Sequence, residues 1–134
     1  MAGYSATPLA RKLSLKDGLR TWWPDMPGSV LREIQAAGLS LVHLSAPEAP
    51  IDAAHVFVSR NEALEAAVAE LRPLLAPSGF LWVSWPKKSS GLASEVTEDE
   101  VRRVALPTDL VDVKVCAVDE TWSGLKLMIR RDQR

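Results

Sequence analysis

The stretch that most constrains the fold runs over residues 59–85. Leu64, Ala67, Val68, Leu71, Leu74 and Leu75 recur three and four positions apart, which predicts an amphipathic helix with one apolar stripe. Pro77-Ser78-Gly79 ends that pattern. Phe80-Leu81-Trp82-Val83-Ser84-Trp85 then alternates as a strand, with Phe80 and Trp82 on one face and Leu81, Val83 and Trp85 on the other. A strand apolar on both faces needs cover on both, as in a parallel sheet flanked by helices. Ser59-Arg60-Asn61-Glu62 has the Ser-x-x-Glu spacing of a capping box at the helix start, and Thr97-Glu98-Asp99-Glu100 has the analogous Thr-x-x-Glu spacing.

The remaining segments extend this alternation. Thr7-Pro8 followed by Leu9, Ala10 and Leu13 predicts a short opening helix with proline in its first turn. Leu19-Arg20-Thr21-Trp22-Trp23 suits a strand, and Val30, Leu31, Ile34 and Ala37 mark a helix ended by Gly38. Strands are expected over residues 39–45 and 53–59, joined by the Pro47 and Pro50 connector. A short helix at Val101, Val104 and Ala105 precedes two last strands, residues 111–118 and 125–130. The polar turn Asp119-Glu120-Thr121-Trp122-Ser123-Gly124 makes that final pair an antiparallel hairpin. The expected architecture is one α/β domain over residues 1–134, a three-layer, mostly parallel, Rossmann-like sheet closed by an antiparallel hairpin. Ligands in such sheets sit outside the carboxyl ends of the strands.

Composition removes several function classes. With 134 residues, 16 basic against 17 acidic side chains and a net charge of −1, no global field draws the chain to nucleic acid or an anionic membrane. A single cysteine, Cys116, excludes an internal disulfide framework and any multi-thiolate metal site within one chain, which fits a reducing compartment. No apolar run has the length of a membrane span, and Met1-Ala2-Gly3-Tyr4-Ser5 lacks the features of a signal peptide, so a cytoplasmic protein is expected.

Leu71-Arg72-Pro73-Leu74-Leu75-Ala76-Pro77-Ser78-Gly79-Phe80-Leu81-Trp82-Val83 resembles the helix, Pro-x-Gly turn and fifth strand of S-adenosylmethionine-dependent methyltransferases. Three segments resemble a domain-of-unknown-function family of small bacterial proteins with a methyltransferase-like fold. They are residues 2–10, Trp85-Pro86-Lys87-Lys88-Ser89-Ser90-Gly91, and residues 111–127. The resemblance implies the fold and, because that family has no established activity, carries over no catalytic residue. At the end of the first strand, a cofactor-binding methyltransferase needs an acidic residue and a glycine-rich turn for close approach of backbone to ligand. Here the turn reads Trp23-Pro24-Asp25-Met26-Pro27-Gly28: two prolines remove two N–H donors and Met26 fills space. The second strand runs into Leu44-Ser45-Ala46-Pro47, with Glu48 behind the proline and no carboxylate at the strand end to hold a ribose. The chain is also short for this fold, so a strand and helix of the first half are expected to be lost. A degenerate relative without a cofactor follows as the expectation.

Trp85-Pro86-Lys87-Lys88-Ser89-Ser90-Gly91 is the candidate ligand loop, since two ammonium groups, two hydroxyls and a glycine at a strand's carboxyl end can hold an anion. Arg60 on the neighbouring loop is a further candidate. Trp85 and Trp122 are candidate interaction aromatics. Cys116 in mid-strand reads as a buried thiol, and His43 and His55 as packed, hydrogen-bonded residues without metal-ligand spacing. Asp119 and Glu120 read as turn polars. The resulting expectation is a non-catalytic, methyltransferase-like module that binds a protein partner, a second copy of itself or a small anion. The alternatives are a small enzyme or methyltransferase with an atypical cofactor turn, using His43 or the Asp119 and Glu120 pair, and a single-stranded nucleic-acid binder using Trp85, Lys87 and Lys88.

Overall fold

The structure is a computed structural model in which residues 7–134 are described; residues 2–6 of the first resembling segment lie outside them. The elements are α1 (Leu9–Lys12), β1 (Arg20–Trp22), α2 (Gly28–Gln35), β2 (Val42–His43), β3 (Ile51–Phe57), α3 (Asn61–Leu71), β4 (Leu75–Pro86), α4 (Glu98–Ala105), β5 (Leu110–Ala117) and β6 (Trp122–Ile129). They form a six-stranded sheet in the order β2-β1-β3-β4-β6-β5. The first four strands are parallel, and β6 runs antiparallel to both β4 and β5. The fold is thus the expected Rossmann-like α/β type, with the closing hairpin contributing one antiparallel strand inside the sheet. No described helix is long and apolar enough to cross a membrane.

Strand alternation divides the interior into two layers. Leu81, Val83 and Trp85 face α3 and α4, where they join Leu64, Val68, Leu71, Val101 and Ala105. Phe80 and Trp82 face the other way, onto Leu9, Leu13, Val30 and Ile34 of the opening segment and α2. The Trp82 indole N–H donates to the Leu13 carbonyl at 3.0 Å, so this large ring is buried without an orphaned donor.

Several local expectations are corrected. The first helix begins at Leu9 with Pro8 in the N-cap position. The helical stripe stops at Leu71; a 3-10 turn carries Arg72–Leu74, and Leu75 already belongs to β4. Pro77-Ser78-Gly79 lies inside β4 as an irregularity, because the register jumps from Ile51 opposite Leu75 to Ala53 opposite Phe80. Glycine is required there: a Cβ on Gly79 would stand 2.6 Å from the Ile51 carbonyl oxygen. Ser59 and Glu62 form no capping box, since α3 starts after Arg60 with no side-chain cap. Glu95 takes the role from 34 positions away, its Oε1 accepting the Asn61 N–H at 2.9 Å. At α4 the expectation holds in one half: Thr97 Oγ1 accepts the Glu100 N–H at 3.2 Å, while the Glu100 carboxylate turns to Arg103.

The first strands are shorter than their sequence pattern, β2 being only two residues. After β2 the chain returns to β3 through residues 44–50 without a helix. Arg20 holds this connector, donating from Nε to the Pro50 carbonyl at 2.7 Å and pairing with Glu48 at 3.9 Å. Among the described residues, no helix lies over β2 on the α3 side of the sheet, and α3 borders β1 only across a groove at Trp22. Trp22 and Leu44 are only half-buried there, and Val42 is 46 % exposed.

Candidate functional site

β4 ends in Trp85 and Pro86, delivering Lys87 to the carboxyl end of the sheet. The Lys87 N–H donates to the Thr121 carbonyl at 2.8 Å, tying this loop to the β5–β6 turn. Ser90 Oγ donates to the Lys87 carbonyl at 2.6 Å and accepts the Leu92 N–H at 3.1 Å, and Gly91 takes a left-handed φ of +78°. Ser90 and Gly91 therefore shape the loop. Buried Val96 then anchors the segment that leads into α4.

Between this loop and the start of α4 lies a cleft of about 500 Å3, within the range of small-molecule sites, roughly 300–1,000 Å3. Lys87, Lys88 and Leu92 stand on one side, Thr97, Glu98 and Asp99 on the other, with Trp85, Val96 and Ser123 also lining it. Glu98 and Asp99 both reach Arg102, so the acidic wall is partly neutralised from its own helix. Among the described residues, no histidine or cysteine lines the cleft.

The structure brings only part of the sequence-predicted set to this cleft. Lys87 and Lys88 line it; Ser89, Ser90 and Gly91 do not. Arg60 lines a separate hollow of about 260 Å3 with Glu62, Ala63 and Ala66. Trp85 is 8 % exposed and packs in the core, and Trp122 is half-buried with its ring edge-on to Phe57 at 5.1 Å, so neither presents an open aromatic platform. Leu92, Ser94, Val96, Thr97, Glu98, Asp99 and Ser123 also line the cleft, and sequence reasoning missed them. Only the Thr-x-x-Glu helix start at 97–100 could have signalled that this segment faces the strand ends.

The other chemically capable groups are committed elsewhere. His55 Nε2 and Ser84 Oγ lie 2.7 Å apart in the interior, with the imidazole stacked on Phe57 at 4.3 Å. Burial pushes the His55 pKa down to about 3, so the ring stays neutral. His43 Nδ1 lies 3.1 Å from Thr21 Oγ1, and its ring meets Trp23 edge-on. Burial raises the Cys116 thiol, the opposite of what a nucleophile needs. Asp119 Oδ1 accepts the Thr121 and Trp122 N–H groups at 2.8 Å each, as a turn polar. No group of three metal-ligating side chains occurs among the described residues.

Above the carboxyl ends of β1 and β2, Thr21, Trp22, Trp23, Pro24, His43 and Leu44 enclose only about 100 Å3. Met26 packs into the α1–α2 core beside them. The adjoining groove against α3, about 350 Å3, is apolar apart from Asp25 and Glu70 and has no basic side chain for a carboxylate.

These features can be set beside known proteins. No protein-family model and no curated protein matches the chain. Solved structures do. A magnesium protoporphyrin IX methyltransferase from Synechocystis with bound SAH is 11 % identical with a TM-score of 0.61, over 90 % of this chain and 79 % of that one. A TehB-like SAM-dependent methyltransferase from Corynebacterium glutamicum matches at 11 % identity and TM-score 0.53, over 96 % and 91 %. A fibrillarin pre-rRNA processing protein from Methanococcus jannaschii matches at 9 % and 0.55, over 96 % and 71 %. The chain has a methyltransferase-like fold. At the ends of β1 and β2, two prolines remove N–H donors and Glu48 is drawn to Arg20; the hollow of about 100 Å3 over the two strands adjoins the groove of about 350 Å3 against α3, which has no basic side chain.

Proposed function

We propose that this chain is a methyltransferase-like binding module, without methyl transfer, that takes a small ligand bearing an anionic group in the cleft beyond β4, and that it belongs with the bacterial family its sequence resembles. The observation that carries this reading is the pairing of Lys87 and Lys88 on one wall of the cleft of about 500 Å3, at the carboxyl end of a parallel strand. Supporting it are the donor-poor turn after β1, with Pro24 and Pro27, and the absence of histidine and cysteine from the cleft. Lysine ammonium groups attract an anionic group as point charges, while exposed Leu92 supplies apolar surface for the rest of the ligand.

The test is an amide NMR titration with inorganic phosphate as the anionic probe and, separately, with S-adenosylmethionine. Phosphate is expected to shift amides of residues 87–99 in a saturable way, and Lys87→Gln with Lys88→Gln to abolish those shifts. Saturable micromolar binding of S-adenosylmethionine, or phosphate shifts indifferent to the double substitution, would overturn the reading.

A further inference from the structure

A second concentration of charge lies on the opposite face of the sheet, where α1 crosses β5 and β6. Lys114 on β5 and Lys126 on β6 stand directly opposite one another in register. Like charges so placed on neighbouring strands oppose folding. Lys12, at the end of α1, and Lys16, in the turn after it, add two more ammonium groups.

Two of these amines reach the turn that ends α1, and Lys12 from that turn reaches back to the end of β5. Lys114 Nζ donates to the Lys12 carbonyl at 2.8 Å, Lys126 Nζ to Ser14 Oγ at 3.0 Å, and Lys12 Nζ to the Ala117 carbonyl at 2.8 Å. Lys126 is half-buried with its amine 4.6 Å above the centre of the Phe80 ring. Burial, and after it the charges of Lys114 and Lys16, lower the Lys126 pKa.

Nothing acidic answers this cluster. Every ion pair among the described residues uses an arginine, none a lysine. The first carboxylate of the chain is Asp17, whose Oδ1 already accepts the Ser40 N–H at 2.7 Å. β6 carries no acidic residue, and Asp112 of β5 is bound to Arg102 of α4 on the other face. Each ammonium has three donors, and Lys12, Lys114 and Lys126 each commit one of them here.

We propose that Lys12, Lys114 and Lys126 form a binding site for a multiply charged phosphoryl anion. Tetrahedral oxygens at several charges would accept the spare N–H groups of several lysines together and offset the repulsion between Lys114 and Lys126. The Phe80 ring holds the Lys126 amine from beneath. This site is independent of the cleft beyond β4. The same chemistry is offered by a free di- or triphosphate and by a nucleic-acid backbone, and the measurement separates these sources.

The experiment follows the melting temperature with inorganic pyrophosphate, with a short single-stranded oligonucleotide, and with chloride at matched ionic strength. Saturating pyrophosphate is expected to raise Tm by at least about 5 °C beyond chloride. Lys114→Gln, at an exposed position, and Lys126→Met are each expected to remove most of that rise, whereas Lys87→Gln with Lys88→Gln leaves it intact. Without ligand, Lys114→Gln should keep or raise Tm, because it relieves a like-charge contact; a purely structural lysine would lower it. A greater rise with the oligonucleotide at equal phosphate concentration assigns the backbone as the source, and a greater rise with pyrophosphate the free anion. Equal rises in the parent and Lys114→Gln, or a rise that depends on Lys87 and Lys88, would overturn the proposal.

Discussion

The two halves of the sheet are built to different standards. On one side, β4, β5 and β6 run for 12, 8 and 8 residues, and Leu81, Trp82, Val83, Leu125 and Leu127 are all at most 1 % exposed. On the other, β1 and β2 have three and two residues, one face of β2 has no helix among the described residues, and Val42 is 46 % exposed. Apolar area removed from water and completed ladder hydrogen bonds both accumulate with strand length, so the carboxyl-terminal half dominates the stability of the domain. The weaker half includes the strand ends where the fold implies a cofactor, and Trp22, Trp23 and Pro24 line a hollow of only about 100 Å3 there, beside the groove against α3. The larger cleft lies in the well-packed half. The difference teaches that this fold can lose cover from one end of its sheet while keeping a rigid platform at the other, on which a different site can be built.

The largest effect that could break this comparison is a pair of truncations. Trp82→Ala should cost about 3–5 kcal/mol in urea unfolding, because it empties the centre of a packed layer. Val42→Ala should stay within about 0.5 kcal/mol. Similar losses at both positions would dismiss the idea of unequal halves.

An intermediate effect sharpens where the boundary falls, since His55 sits on β3 between the two halves. Its folded-state pKa of about 3 is below the ordinary 6.5, so the unfolded chain binds the extra proton first as pH falls. The stability this group contributes is full above about pH 6.5 and declines by about 1.4 kcal/mol per pH unit down to about pH 3. His55→Gln should flatten that slope in urea melts between pH 6.5 and 5; an unchanged slope would mean that the imidazole is not sealed from water.

The smallest effect concerns the edge of the well-packed half. The Asp112 carboxyl is held below its usual range chiefly by the hydrogen bond from Arg102, which joins β5 to α4 at 3.0 Å. Its contribution is present above the ordinary carboxylate pKa and is lost as pH falls through the lower folded value. Both side chains are about 30 % exposed, so solvent screens the pair. Asp112→Asn is therefore expected to lower Tm slightly at pH 7 and to make the decline below about pH 4 shallower. A loss as large as that of Trp82→Ala would show that this edge, rather than the packed layers, holds the half together.

Legibility in the sequence followed the range of the interactions. The two faces of β4 could be read from the alternation of Phe80, Leu81, Trp82 and Val83, because side chains on a strand alternate whatever lies around it. The Thr97 cap could be read because its partner, the Glu100 N–H, is three residues away. The Ser59 cap was misread because Glu95 arrives from a distant loop. In the candidate cleft, Lys87 and Lys88 were visible as a local run, whereas the opposing wall of Glu98, Asp99 and Ser123 was not.

By itself the sequence determined the α/β class, the closing hairpin and the poverty of donors after the first strand, since each rests on local periodicity or on backbone chemistry that proline and glycine carry with them. Only the tertiary structure decided that the α3 side of β2 stays open, that Trp85 is interior, and that Lys114 and Lys126 reach the turn that ends α1. Those outcomes depend on where elements up to 112 residues apart come to rest against each other. Such positions are set by the packing of the whole sheet, which no local pattern encodes.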